Sequence, residues 1–225
     1  MKDLAIILKY IREQPLMLLD VFGALILAIT AIYFVKRLQN HFKAIFFYSI
    51  FSFLFEIIAN YYAANRWNNH LIFIIFFLIE TFLISYFYFK YFKKMSEKRI
   101  IVFISIIIFA FMLLNLLNSK NELDDIASSV QSIGFIAFSL LCYYNILSNQ
   151  EIKNLLEASI FWINTAIIIY FSGKFFVFLF ITKVLDQDDT SLGDFWYIIT
   201  YLLFIFRLIL TYAITKIKYN NLRIN

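Results

Sequence analysis

Apolar residues run along the chain in seven continuous blocks, each close to the roughly 20 residues that a helix needs to cross a bilayer core. They cover Pro15–Val35, Phe42–Ala63, Leu71–Phe92, Arg99–Leu117, Ile126–Leu147, Ala158–Thr182 and Asp194–Thr215. The blocks are uniformly apolar and do not alternate, so they predict helices and not the strands of a barrel. A helix also satisfies every backbone N–H and C=O within its own segment, which lipid demands. The pattern predicts an all-α integral membrane protein, a seven-transmembrane-helix bundle. Its linkers are too short to hold a soluble domain. Ahead of the first block, Leu4, Ile7, Leu8 and Ile11 follow the i, i+3, i+4, i+7 spacing of one helical face, with Lys2, Lys9, Arg12 and Glu13 elsewhere. Residues 1–14 thus predict a short amphipathic helix in the interface plane, which Pro15 ends. It is too charged for a signal-peptide core, and no small-residue cleavage site follows it. The predicted organisation is an interfacial helix over 1–14, a seven-span bundle over 15–219 and a cytoplasmic tail over 220–225.

Composition agrees with this pattern. The 225 residues are 63% hydrophobic and 21% aromatic, with a mean hydropathy of +0.79. A water-soluble globule has too little interior for that much apolar surface. The net charge of +5 gathers in loops and makes no basic face for nucleic acid. The first, third and last intervals hold Lys36, Arg37 and Lys43, then Lys90, Lys93, Lys94, Lys98 and Arg99, then Lys216, Lys218 and Arg223. The acidic intervals hold Glu122, Asp124 and Asp125, then Asp186, Asp188 and Asp189. The positive-inside rule puts the N-terminus of this multi-pass protein outside and its C-terminus in the cytoplasm. Lys153 alone marks the fifth interval, and the three bases of residues 1–14 oppose an outside N-terminus.

Polar residues inside a span predict protein-facing stripes. Ser49, Ser52, Glu56 and Asn60 share one face of the second span, and Thr200, Arg207, Thr211 and Thr215 one face of the seventh. Ser128, Ser132, Ser139 and Cys142 line the fifth, while Asp20, Ala24, Ala28 and Ala31 offer a small-residue stripe for close packing in the first. The fourth span is nearly all Ile, Phe and Leu and is expected to face lipid.

Four charges lie deep within the blocks. At 1.5 Å per residue, Glu56 and Lys174 both come out roughly 12 Å below the outer surface. Glu80 and Arg207 fall near the middle, about 5 Å apart in depth. Equal depth predicts two buried ion pairs, Glu56–Lys174 and Glu80–Arg207. A second course is open to Lys174, whose stem is long enough to snorkel to the headgroups.

The inventory for chemistry is thin. His41 and His70 are predicted at opposite surfaces, so they share neither a metal ion nor a haem. The single Cys142 excludes an intrachain disulfide and a cysteine-based metal site. No HExxH, Gly-x-Ser-x-Gly or phosphate loop occurs. Neither an enzyme, nor a cofactor, nor a metal is expected. Microbial rhodopsins bind retinal through a lysine on their last helix, where this chain has Arg207, so a retinal pigment is not expected. The proline-glutamine signature of seven-span sugar carriers is also missing, Pro15 being the sole proline.

Two stretches, "NNHLIFIIFFLIETFLISYFYFKYF" (68–92) and "FWINTAIIIYFSGKFF" (161–176), resemble small seven-span membrane proteins of Bacteroidetes-type bacteria. The residues that carry the resemblance are Asn69, His70 and Glu80, then Phe161, Trp162, Tyr170, Ser172 and Gly173. The group is associated with sensor kinases, so the resemblance implies a signalling role. Packing and anchoring are the competing roles for Tyr170, Ser172, Gly173 and Trp162.

The expected function is a sensory or signalling receptor module that binds a small or membrane-embedded ligand and couples to a separate cytoplasmic or membrane partner, such as a sensor kinase. Its pocket is expected at Glu56, Asn60, Glu80, Tyr170, Ser172, Lys174 and Arg207. The alternatives are transport by a small-solute or ion carrier with coupling carboxylates, and a structural subunit of a larger membrane complex.

Overall fold

The computed structural model describes residues 15–118, 125–149, 154–185 and 192–220. They form seven α-helices: α1 Met17–Phe34, α2 Lys43–Ala64, α3 His70–Tyr91, α4 Met95–Asn118, α5 Asp125–Asn149, α6 Ser159–Leu185 and α7 Leu192–Asn220. Short 3-10 turns occupy Val35–Arg37 and Leu155–Glu157, and no strand occurs among the described residues. Each predicted block becomes one helix. Six of them, α2 to α7, are long and apolar enough to cross a membrane, and α1 is a shorter apolar helix over Leu18–Phe34. This is the architecture of a multi-pass membrane protein. The predicted helix over 1–14 and the tail beyond residue 220 lie outside the described residues.

Lengths vary in a way that matters for the interior. α1 has 18 residues, about 27 Å, whereas α7 has 29, about 43 Å. The longer helices run past their apolar blocks into charged sequence, α4 starting at Met95 and α7 continuing through Lys216 and Lys218.

Consecutive helices pack side by side, and α7 returns to pack on α1 as well as α6, closing a ring. Large apolar side chains such as Phe22, Phe82, Phe103 and Phe176 cover its outside, the surface that lipid would wet. α4 gives the ring a single narrow stripe, with Ile101, Ser105, Ile108, Met112 and Asn115 buried at steps of four, three, four and three. Its remaining faces look outward, as the uniform Ile, Phe and Leu content predicts.

Glycines set three of the helix contacts. A Cβ on Gly23 would lie 2.9 Å from Phe204 of α7, on Gly134 2.5 Å from Ile108 of α4, and on Gly173 2.4 Å from Leu202 of α7. Real Cβ atoms do not approach so closely, so a side chain at these positions would force Phe204, Ile108 or Leu202 to shift. Ala24, Ala28 and Ala31 are buried along α1, as expected of a close-packing stripe.

Candidate functional site

The ring interior is crossed by charge. Arg207 of α7 is fully buried on the same face as Phe206, Leu210 and Ala213. One terminal nitrogen donates to Glu56 Oε1 at 2.5 Å and to Ser52 Oγ at 3.0 Å, both on α2. The other donates to the Asp20 backbone carbonyl at 2.8 Å and reaches Asp20 Oδ1 at 3.5 Å, on α1. Gly23, one turn beyond Asp20, makes room for this, since a Cβ there would press on Phe204 and the Arg207 stem. On the far side of Glu56, Asn60 Nδ2 donates to the Glu56 backbone carbonyl at 2.8 Å and to Oε2 at 3.4 Å. One guanidinium therefore joins three helices and two carboxyls.

A second cluster joins α3, α5 and α6. Lys174 Nζ donates to Gln131 Oε1 at 2.8 Å and lies 3.8 Å from Glu80 Oε2. Its ammonium also sits 4.0 Å from the centroid of the Phe77 ring, at cation–π distance. Gln131 acts as a bridge with both ends used. Its oxygen faces the ammonium, so its Nε2 is free to donate to Glu80 Oε2 at 3.2 Å, Thr81 Oγ1 at 3.0 Å and the Phe77 carbonyl at 3.2 Å. The hydroxyl of Tyr48, on α2, donates to Glu80 Oε1 at 3.4 Å. Tyr48 and Tyr170 both pack their rings on Phe206, the residue before Arg207. The two clusters are thus in contact through aromatic side chains and one hydroxyl.

A neutral cluster lies farther along α3, about 12 Å from Glu80 by helical rise. The Tyr88 hydroxyl donates to Asn164 Oδ1 at 2.7 Å and shares a 2.7 Å bond with Ser139 Oγ. Asn164 Nδ2 in turn donates to the Ile160 carbonyl at 2.7 Å and to Cys142 Sγ at 3.2 Å.

These contacts correct the predicted pairing. Arg207 meets Glu56, and Lys174 meets Glu80, the reverse of the exchange that equal depth suggested. Depth measured from the ends of apolar blocks assumes that those ends are level. They are not, because Arg207 lies fifteen residues into α7 yet bonds Asp20, only three residues into α1. Nor does Lys174 snorkel, since 1% of its side chain is exposed and its ammonium is held inside. Of the expected pocket residues, Glu56, Glu80, Lys174 and Arg207 join the two charged clusters, with Asn60 beside the first. Tyr170 packs between the clusters against Phe206, 6.0 Å from the Lys174 ammonium. Ser172 is half-buried on α6. Gly173 serves a close approach of α6 to α7.

The expected stripe of α2 is buried at Ser49, Ser52 and Glu56, and that of α5 at Ser128, Ser132, Ser139 and Cys142. His41 and His70 stand at opposite ends of α2, about 33 Å apart along its axis. Among the described residues, no three His, Cys, Asp or Glu side chains converge to hold a metal ion. The predicted polar stripes do not single out Gln131, Tyr88 and Asn164, and the sequence reads Asp20 either as part of a packing face or as solvated near the outer end of the first span. Gln131 had a signal, since it stands between Ser128 and Ser132 on the polar side of an apolar span. Comparison with protein-family models, curated proteins and solved structures finds no match to the chain.

Proposed function

We propose that the protein is a sensory or signalling module with seven spans, α1 included, in a bacterial cytoplasmic membrane. It binds a small or membrane-embedded ligand and passes a helix displacement to a separate partner, such as a sensor kinase. The observation that carries this reading is that five ionisable side chains, from α1, α2, α3, α6 and α7, meet inside one ring. Buried ion pairs contribute little net stability compared with apolar packing, so their retention calls for another role. A network that ties five helices together is suited to switching: changing the charge or contacts of one member alters the balance for all of them. The basic α3–α4 turn and the basic end of α7 supply a surface for the partner. Native purification in mild detergent, followed by mass spectrometry, tests this. A co-purifying kinase or a retained small molecule supports it, and a lone protein with neither counts against it.

The three interior carboxyls favour one further reading, a small-solute or ion carrier that uses them for coupling. Uptake into liposomes that is lost in Glu80→Gln would establish that reading instead.

A further inference from the structure

Among the described residues the interior charges do not balance. Asp20, Glu56 and Glu80 supply three carboxyls, and among the described residues only Arg207 and Lys174 pair with them. Lys174 and Glu80 compensate each other through Gln131. The surplus therefore falls on the other cluster, where one guanidinium lies between two carboxyls. A net negative charge in a low-dielectric interior is costly, and two carboxyls that share one site relieve it by sharing a proton. A metal cation is the poorer fit, since Asp20 and Glu56 lie against different nitrogens of Arg207 and, among the described residues, no group of three ligands converges.

We propose that the Asp20–Arg207–Glu56 triad is a proton-binding site that holds one exchangeable proton, carried on Asp20. Glu56 already accepts the short bond from Arg207 and a second one from Asn60. Asp20 has the longer contact, 3.5 Å, and is slightly the more exposed, 14% of its side chain against 10% for Glu56, in the first turn of α1. Binding converts the Asp20 carboxylate to a carboxylic acid by taking one proton from hydronium, leaving water, and release returns that proton to water and leaves a negative charge beside Glu56. The groups that face the triad are Ser52 and Asn60 from α2, Thr200 from α7, and, farther in, Tyr48 of α2, Glu80 of α3 and Tyr170 of α6. Release of the proton changes the forces among α1, α2 and α7. The site stands on charge and geometry whether or not the protein signals.

The test is infrared difference spectroscopy of the full-length protein in liposomes, between about pH 5 and about pH 8, a range that spans most titrations of shifted carboxyls. The expected result is loss of one protonated-carboxyl band per chain as pH rises, absent in Asp20→Asn and retained in Glu80→Gln. Where Asp20→Asn fails to fold, the wild-type spectrum still decides whether a protonated carboxyl exists, and Glu56→Gln, which removes the like charge, should move its titration. The proposal is overturned by a wild-type spectrum without the band. It is overturned equally by a band that survives Asp20→Asn, one that ignores Glu56→Gln, or one that responds to sodium concentration at fixed pH.

Discussion

Arg66 follows α2 with φ 56°, the left-handed region that a non-glycine side chain enters at a cost of roughly 1–2 kcal/mol. Its position explains the cost: Trp67 N–H bonds the Tyr62 carbonyl and Arg66 N–H bonds that of Ala63, the paired closure that ends a helix and favours glycine. Arg66→Gly should raise the stability of the detergent-solubilised protein by about 1 kcal/mol, read as a higher melting temperature. The interior charges make a second prediction at this scale. A double-mutant cycle on Glu80 and Lys174, each replaced by leucine, should show coupling of about 1–3 kcal/mol, because either single change strands a buried charge. The same cycle on Glu56 and Lys174 should show much less, and equal coupling would contradict the observed pairing. That Glu56, Glu80 and Arg207 sit inside was legible in the sequence, because a charge deep within an apolar span has few other places to go, whereas the neutral Gln131, Tyr88 and Asn164 carried no such signal. Which charge meets which was not, since that depends on helix offset and rotation.

The seven helices themselves were the most legible feature, for a lipid-length apolar block has one backbone solution. Their true lengths were not, because a helix does not stop where its apolar block does, as α7 shows beyond Thr215. The glycine contacts illustrate what this scale adds. Gly173 is tolerated inside a helix, where glycine costs about 1 kcal/mol relative to alanine, because Leu202 occupies the space that a side chain would take. Gly173→Val should therefore destabilise the protein by about 1–3 kcal/mol through overpacking between α6 and α7. Adding Leu202→Ala should recover part of that loss, measured by thermal unfolding of the single and double variants. If the double variant is no better than the single, the contact does not limit the approach of the two helices.

For the whole molecule, pH also acts through a second site, remote from the triad. His41, in the turn between α1 and α2, packs against Phe42, Phe87 and Tyr91, and burial pushes its imidazole below the ordinary value of 6.5. The folded state thus prefers neutral His41, while the unfolded chain protonates at the ordinary value. The contribution to stability is complete above that value and is lost as pH falls through the region below it. Wild-type protein should lose melting temperature relative to His41→Gln as pH drops from about 7 to about 5, and parallel curves for the two would refute the assignment. The closure of the ring also bears on how the protein is made. Asp20 and Arg207 are 187 residues apart, so at ribosomal rates of about 5–20 residues per second the first helix waits roughly 10–40 s for its cation. For most of that interval, over the 151 residues between Glu56 and Arg207, both carboxyls have been made without the arginine that will hold them. Until α7 arrives, the early helices can enter an apolar environment only with those carboxyls protonated or still in contact with water.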